Sequence, residues 1–216
     1  MSHKFGQTNF PPSLNESFQK GIMSTRYNGR AMWKCPMDLV IYRNVLENLL
    51  PKTIFEFGSN EGGSAMWLAD QLTSIGLHDT RLFSLDVNPV TDIDDPRIEF
   101  GFCNVEVPQD CFNLDDLKAL PHPILIIDDA SHRGPDVLSL LKYIDQIIEP
   151  GDYLIVEDGI LTHLDMPGYD GGPLWAIEEL LKQNPGRYEV DRAVCDTYGT
   201  NVTWNPEGYI RCIANR

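Results

Sequence analysis

Two acidic segments of this sequence carry the most chemistry: Asp128-Asp129-Ala-Ser-His132 and Glu157-Asp158. Each follows a continuous apolar run, ILIID (124–128) and YLIVED (153–158), of the kind buried on both faces of a parallel sheet. Successive strands joined by one helix are usually neighbours, so the carboxylates converge at one mouth of the sheet. Packed acids raise one another's pKa, and a hard divalent cation such as Mg²⁺ with all-oxygen ligands relieves that repulsion. The expected ligands are Asp129, Glu157 and Asp158, with Asp128 facing a cofactor or the sheet interior. Any one of these acids alone would read as a helix cap or a loop charge; the set does not. His132, one turn beyond the acidic pair, has two open roles. It is either a base for a substrate hydroxyl, a role a carboxylate such as Asp129 could also fill, or a partner that orients a carboxylate.

The third chemical segment is Glu56-Phe-Gly58-Ser59-Asn60-Glu-Gly62-Gly63-Ser64, between an apolar strand and a helical pattern. Glycines let the backbone turn sharply and approach a ligand, and the helix start offers unpaired N–H groups. Asp86 ends the next strand, where a carboxylate can accept from both hydroxyls of a ribose. An acid about 20 positions beyond the glycines also marks nicotinamide dinucleotide sites, so the spacing leaves the nucleotide open. The pattern here is GxxxGG after Glu-x-Gly, not GxGxxG; Asn60 stands where a pyrophosphate needs a glycine.

These residues need a scaffold to bring them together. A helical pattern runs from Asp38, a plausible N-cap, to Leu49 and closes at Pro51. Strand Thr53–Phe57, helix Ser64–Ile75, strand 81–86, a weaker strand Arg97–Phe102 and a short helix Asn113–Ala119 follow. Strand 124–128, helix Pro135 to Ile148, strand 153–158 and helix Leu174–Lys182 complete the alternation. Such βαβ units make an α/β, Rossmann-like, mostly parallel sheet. Three β-rich runs, 188–194, 200–204 and 209–213, come last, and Asn-Pro-Glu-Gly between the final two reads as an antiparallel hairpin. The glycine-rich stretch Leu161–Pro173 after the acidic strand reads as a lid, with His163 and Asp165 meeting substrate; an ordinary surface loop is the alternative. Residues 1–36 form an N-terminal arm that covers the site or makes subunit contacts, and 37–216 a single domain. A partly disordered tail is the other reading of residues 1–20.

Composition narrows the function classes. A formal net charge of −15, from 32 acidic and 17 basic residues, repels phosphate backbones, so nucleic acid is not the expected partner. No apolar run reaches membrane-spanning length. Five scattered cysteines without a CxxC pair, and an N-terminus without a secretory layout, fit a reducing cytoplasm.

In order and spacing, KCPMDL (34–39), IFEFGSNEGGSAMWLAD, IIDDASH, PGDYLIVED, GPLWAIEELL and WNPEGYIR resemble the cephalosporin hydroxylase-type and rhamnosyl O-methyltransferase-type class I methyltransferases. That group is similar to macrolide-sugar O-methyltransferases, and the resemblance spans about residues 29–213. It implies S-adenosylmethionine as methyl donor and Mg²⁺-assisted transfer to a small-molecule hydroxyl in secondary metabolism, and it leads to the expectation of a homo-oligomer. By position, it implies that Glu56, Gly58 and Gly63 line the methionine end of the cofactor, with Ser59, Asn60, Gly62 and Ser64 of the same turn among its binding residues. Asp86 then holds the ribose, and Asp129, Glu157 and Asp158 the metal. Gly101–Asn104, with Cys103, falls near the adenine; its sequence, GFCN, departs from the group's usual acidic or Ser-rich form. Two other classes remain open: an NAD(P)-dependent oxidoreductase and a non-catalytic binding protein that keeps the fold. The clustered carboxylates count against the first, and the intact acidic set and glycine turn against the second.

Overall fold

The computed structural model describes residues 4–164 and 166–216. The arm comprises α1 (Asn15–Ser24) and a two-stranded ribbon, β1 (Arg26–Tyr27) and β2 (Arg30–Ala31), and leads into α2 (Pro36–Leu49). From Thr53 strands and helices alternate: β3 (Thr53–Phe57), α3 (Gly63–Ser74), β4 (Arg81–Asp86), β5 (Ile98–Phe102), α4 (Leu114–Lys118) and β6 (Ile124–Asp128). Then come α5 (Gly134–Ile144), β7 (Tyr153–Val156), α6 (Gly172–Gln183), β8 (Tyr188–Val190), α7 (Arg192–Cys195) and β9 (Tyr209–Cys212).

The central sheet has seven strands in the order β5-β4-β3-β6-β7-β9-β8. Strands β3 to β7 pair in parallel, while β9 runs antiparallel to both β7 and β8. The period-two alternation of a strand divides its side chains between two cores. Phe55, Phe57, Ile124, Ile126, Leu154 and Val156 pack toward α5 and α6. Ile54, Leu125, Ile127 and Ile155 pack toward α2 and α3. Because both faces are covered, β3, β6 and β7 are buried along their whole length, hence their unbroken apolar sequences.

The antiparallel end differs from the expected hairpin. Residues 200–204 form no strand, and the partner of β9 on its outer edge is β8. Side chains claim the backbone of 201–207 instead. Asn201 N donates to Asp196 Oδ1 (2.8 Å), Asn205 N to Thr203 Oγ1 (3.0 Å) and Glu207 N to Asn201 Oδ1 (3.2 Å). Asn201 and Glu207 adopt left-handed conformations that a strand cannot contain.

Asp38 is another departure. The helix starts at Pro36, the favoured first position, so Asp38 does not cap it. Its buried carboxylate accepts from Thr203 Oγ1, Trp204 N (2.9 Å) and Tyr209 OH (3.0 Å), tying α2 to the chain end. Asp38→Ala strands three buried donors and is expected to destabilise the fold by about 3 kcal/mol. Urea unfolding followed by circular dichroism would read this as a lower midpoint with unchanged slope.

The arm packs on that same region. Gly6 N donates to Glu207 Oε1 (2.8 Å), Asn201 Nδ2 to Gln7 O (2.8 Å) and Asn9 N to Thr200 O (2.8 Å). Phe10 meets Phe18 and Trp204 edge-on. Among the described residues no helix is long and apolar enough to cross a membrane.

Candidate active site

Register brings the chemical residues to one edge. Phe57 and Val156 flank Asp128 at the carboxyl ends of β3, β7 and β6. The ladder continues past these ends, with Asp129 N donating to Phe57 O (2.8 Å) and Glu157 N to Asp128 O (2.9 Å). Gly58, Asp129 and Glu157 therefore emerge side by side. Chain winding reverses between β3 and β6, and sheets of this type bind ligands in the crevice at such a reversal.

A cleft of about 510 Å³ opens there. Of the sequence-derived candidates, Gly58, Asn60, Ser64, Asp86 and Cys103 line one side of it. Asp129, His132 and Asp158 line the other. Asp86 accepts from Asn60 N through Oδ2 (3.0 Å) and Asn88 N through Oδ1 (2.9 Å), which aims the carboxylate and leaves each oxygen further acceptor capacity.

The other candidates stand behind the wall. Ser59, 1% exposed, turns its hydroxyl inward to Ser84 Oγ (2.8 Å). Gly62 and Gly63 make room for protein: a Cβ on Gly62 would lie 2.6 Å from Ile93 Cδ1, and one on Gly63 2.2 Å from Ala31 O. Glu56 is fully buried; Oε2 accepts from Ser84 (2.6 Å), while Oε1 has no partner among the described residues. Neither oxygen of Asp128 has a described partner either, and burial pushes its pKa up to about 7. Buried unpaired oxygens are costly, and burial raises the Glu56 pKa too.

On the acidic side, Asp129, His132 and Asp158 bring ligand atoms within 4.8 Å of one another. His132 Nε2 lies 3.2 Å from Asp158 Oδ2 and 3.7 Å from Asp129 Oδ1. Burial opposes the imidazolium, but Asp158 and Asp129 outweigh it, so the His132 pKa is raised. Asp158 and His132 both hold left-handed backbone conformations (φ +59° and +58°), a local strain often found where a side chain must be aimed.

Glu157, the third expected ligand, is engaged by the chain itself. It does not join that group; Oε1 instead accepts from Lys34 Nζ and Tyr42 OH. Burial first, and Asp129 second, lift its pKa to about 7, against the pull of Lys34. Lys34 and Tyr42 were not among the sequence-derived site residues. The only trace of Lys34 was its place in KCPMDL, since a lysine before a helix carries no spacing signal. Trp33, beside it, lines the cleft half-exposed.

The glycine-rich segment does not line this cleft. Gly159–His163 is a 3₁₀ turn, and His163 Nε2 is held at Gly6 O (2.9 Å). The segment does touch the His132 loop: Gly134 N donates to Tyr169 O (2.8 Å), and Arg133 pairs with Asp170. Asp165 lies outside the described residues.

The model of the family described as rhamnosyl O-methyltransferase/CmcI matches residues 19–213. A rhamnosyl O-methyltransferase of Mycobacterium leprae is 30% identical over 188 residues, which are 84% of this chain and 81% of that protein. One from Mycobacterium bovis is 30% identical over 193 residues, 86% and 77% of the two chains. Among solved structures, CmcI with Mg and SAM is 25% identical, with a TM-score of 0.64 over 89% of this chain and 78% of that one.

Proposed function

The chain belongs to the rhamnosyl O-methyltransferase/CmcI family, and from that premise we propose that it transfers the S-adenosylmethionine methyl group to a small-molecule hydroxyl, a sugar hydroxyl foremost, with a divalent cation such as Mg²⁺. The observation that carries this reading is the meeting of Asp129, Asp158 and His132 in the same cleft as Asp86.

The residues fit both groups. Asp86 lines the cleft with acceptor capacity left on both oxygens, which suits a ligand that brings ribose hydroxyls, as S-adenosylmethionine does. Asp129 and Asp158 suit Mg²⁺, which is typically held by one or two carboxylates and keeps waters or substrate oxygens at its other positions. Bound, the cofactor supplies an electrophilic sulfonium methyl and the cation a Lewis acid that acidifies the acceptor hydroxyl.

The chain's own residues do the rest. Asp86 would hold the ribose, and the turn from Gly58 to Ser64 would line the methionine end. His132 Nε2 is committed to Asp158, which leaves Nδ1 as the atom that would take the proton of the acceptor hydroxyl. Asp158 then steadies the imidazolium. Most of the rate enhancement comes from alignment within the cleft.

His132→Gln is expected to lower kcat about a hundredfold, with S-adenosylhomocysteine affinity unchanged. Single-turnover methyl transfer from labelled donor checks this, and full activity would remove the proposed base. The reading as a whole is tested by calorimetric titration with S-adenosylhomocysteine, with and without Mg²⁺, beside NADH. Micromolar binding of the homocysteine product alone supports it; binding of NADH alone overturns it.

A further inference from the structure

Lys34 is a buried cation that the mechanism above does not use. Its side chain is 6% exposed, and Nζ donates to Asp129 Oδ2 (2.5 Å) and to Glu157 Oε1. Tyr42 donates to the same Glu157 oxygen. Burial opposes the ammonium, and the two carboxylates more than offset that, so its pKa is raised.

The backbone delivers this group. On one side Ala31 N donates to Glu61 Oε2 (2.8 Å), and Ala31 O closes on Gly63 at the start of α3. Lys34 N bonds to Met32 O (2.8 Å), and two residues later α2 begins, anchored through Asp38. The ammonium is thus held between β6 and β7 from both sides. Among the described residues, the carboxylates of Asp129, Glu157, Glu56 and Asp158 act on it, and Asp128 and His132 adjoin that cluster. Such a set is self-repelling until cations are placed in it.

We propose that Lys34 is the resident counter-ion of this site. Its ammonium lies between Asp129 and Glu157, where a divalent ion would otherwise bind. An incoming ion shares Asp129 with Lys34 and competes with it for Glu157. The inference rests on the proposed metal role and adds a built-in competitor, which keeps the carboxylates assembled and the bound ion exchangeable.

The test is calorimetric titration of Mg²⁺ into the full chain saturated with S-adenosylhomocysteine. Lys34→Met is expected to bind Mg²⁺ at least fivefold more tightly, because one repelling charge is gone and Glu157 is released. Glu157→Gln alone is expected to change the affinity less than twofold. In the Lys34→Met background the same change should reverse the gain. A lysine that merely supported the fold would loosen Mg²⁺ on removal, so unchanged or weaker binding by folded Lys34→Met overturns the proposal. Should that variant not fold, ¹⁵N NMR of the lysine ammonium groups reads the wild type directly. The Lys34 signal, assigned with Lys34→Arg, is expected to move on Mg²⁺ addition, and a signal that stays put while Mg²⁺ binds overturns the idea. Mg²⁺ binding that ignores residue 34 removes only this inference. Failure of every variant to bind Mg²⁺, with S-adenosylhomocysteine still bound, removes the metal role itself.

Discussion

Asp129→Asn is expected to bind S-adenosylhomocysteine as the wild type does and to lose methyl transfer by about a thousandfold. Asp129 is the one residue that joins both halves of the acidic site. Oδ2 accepts from Lys34 at 2.5 Å, and Oδ1 lies 3.7 Å from His132 Nε2, beside Asp158. An amide keeps the shape and removes the charge that a divalent ion and an imidazolium both need. Charge stabilisation of this kind is worth several kilocalories per mole, and about 4 kcal/mol corresponds to a thousandfold in rate. Cofactor affinity should be spared because the proposed cofactor residues, Asp86 and the glycine turn, lie on the β3 and β4 side of the cleft. Steady-state turnover beside calorimetry separates the two effects. EDTA should depress wild-type turnover to a similar degree and the variant hardly at all. Chelator-resistant turnover in the wild type would contradict the metal role outright.

Gly58→Ala is expected to cost about 3 kcal/mol of stability and to abolish both cofactor and Mg²⁺ binding. Gly58 has φ +100°, a conformation L-residues rarely adopt, and a non-glycine residue there costs roughly 1–3 kcal/mol. Space is the larger difficulty. An added Cβ would sit 2.0 Å from Asp129 O and 2.6 Å from Asp129 C, both backbone atoms. Asp129 is itself held to β3 through its N–H on Phe57 O, so relief of the clash must part the glycine turn from the acidic loop. One methyl group thus disturbs the nucleotide and metal sides together. For a chain of this size the lost stability corresponds to a melting point lower by roughly 6–12 °C. Gly62→Ala is the informative control, because its Cβ would meet the flexible tip of Ile93, and it should keep Mg²⁺ binding. Equal loss of Mg²⁺ binding in both variants would argue against the coupling assigned to Gly58.

Much of this site was legible before any coordinates. The apolar runs TIFEF, ILIID and YLIV are continuous because their strands are covered on both faces, and each ends where a chemical residue emerges. Asp86, Asp129 and Asp158 could be assigned to one edge from that pattern alone. The glycine turn was legible too, though its reason was not. Gly58, Gly62 and Gly63 read as room for a ligand, whereas they admit Asp129 O, Ile93 and Ala31 O. A sequence shows that a Cβ is missing, but not what fills the space.

The sequence by itself therefore determined the alternation of strands and helices, the mostly parallel sheet and the edge to which the acids come. Those follow from periodicity and from short crossovers, which are local properties of the chain. Only the tertiary structure decided which acid meets which cation. Lys34 and Tyr42 reach Glu157 across separations of 123 and 115 residues, and Asp38 reaches Trp204 across 166. It also decided that β9 pairs with β8 instead of residues 200–204, where Asp196 takes the Asn201 amide and Asp38 the Trp204 amide. A hydrogen bond between distant segments leaves no period in either of them, so its partners are known only once packing has brought both to the same place.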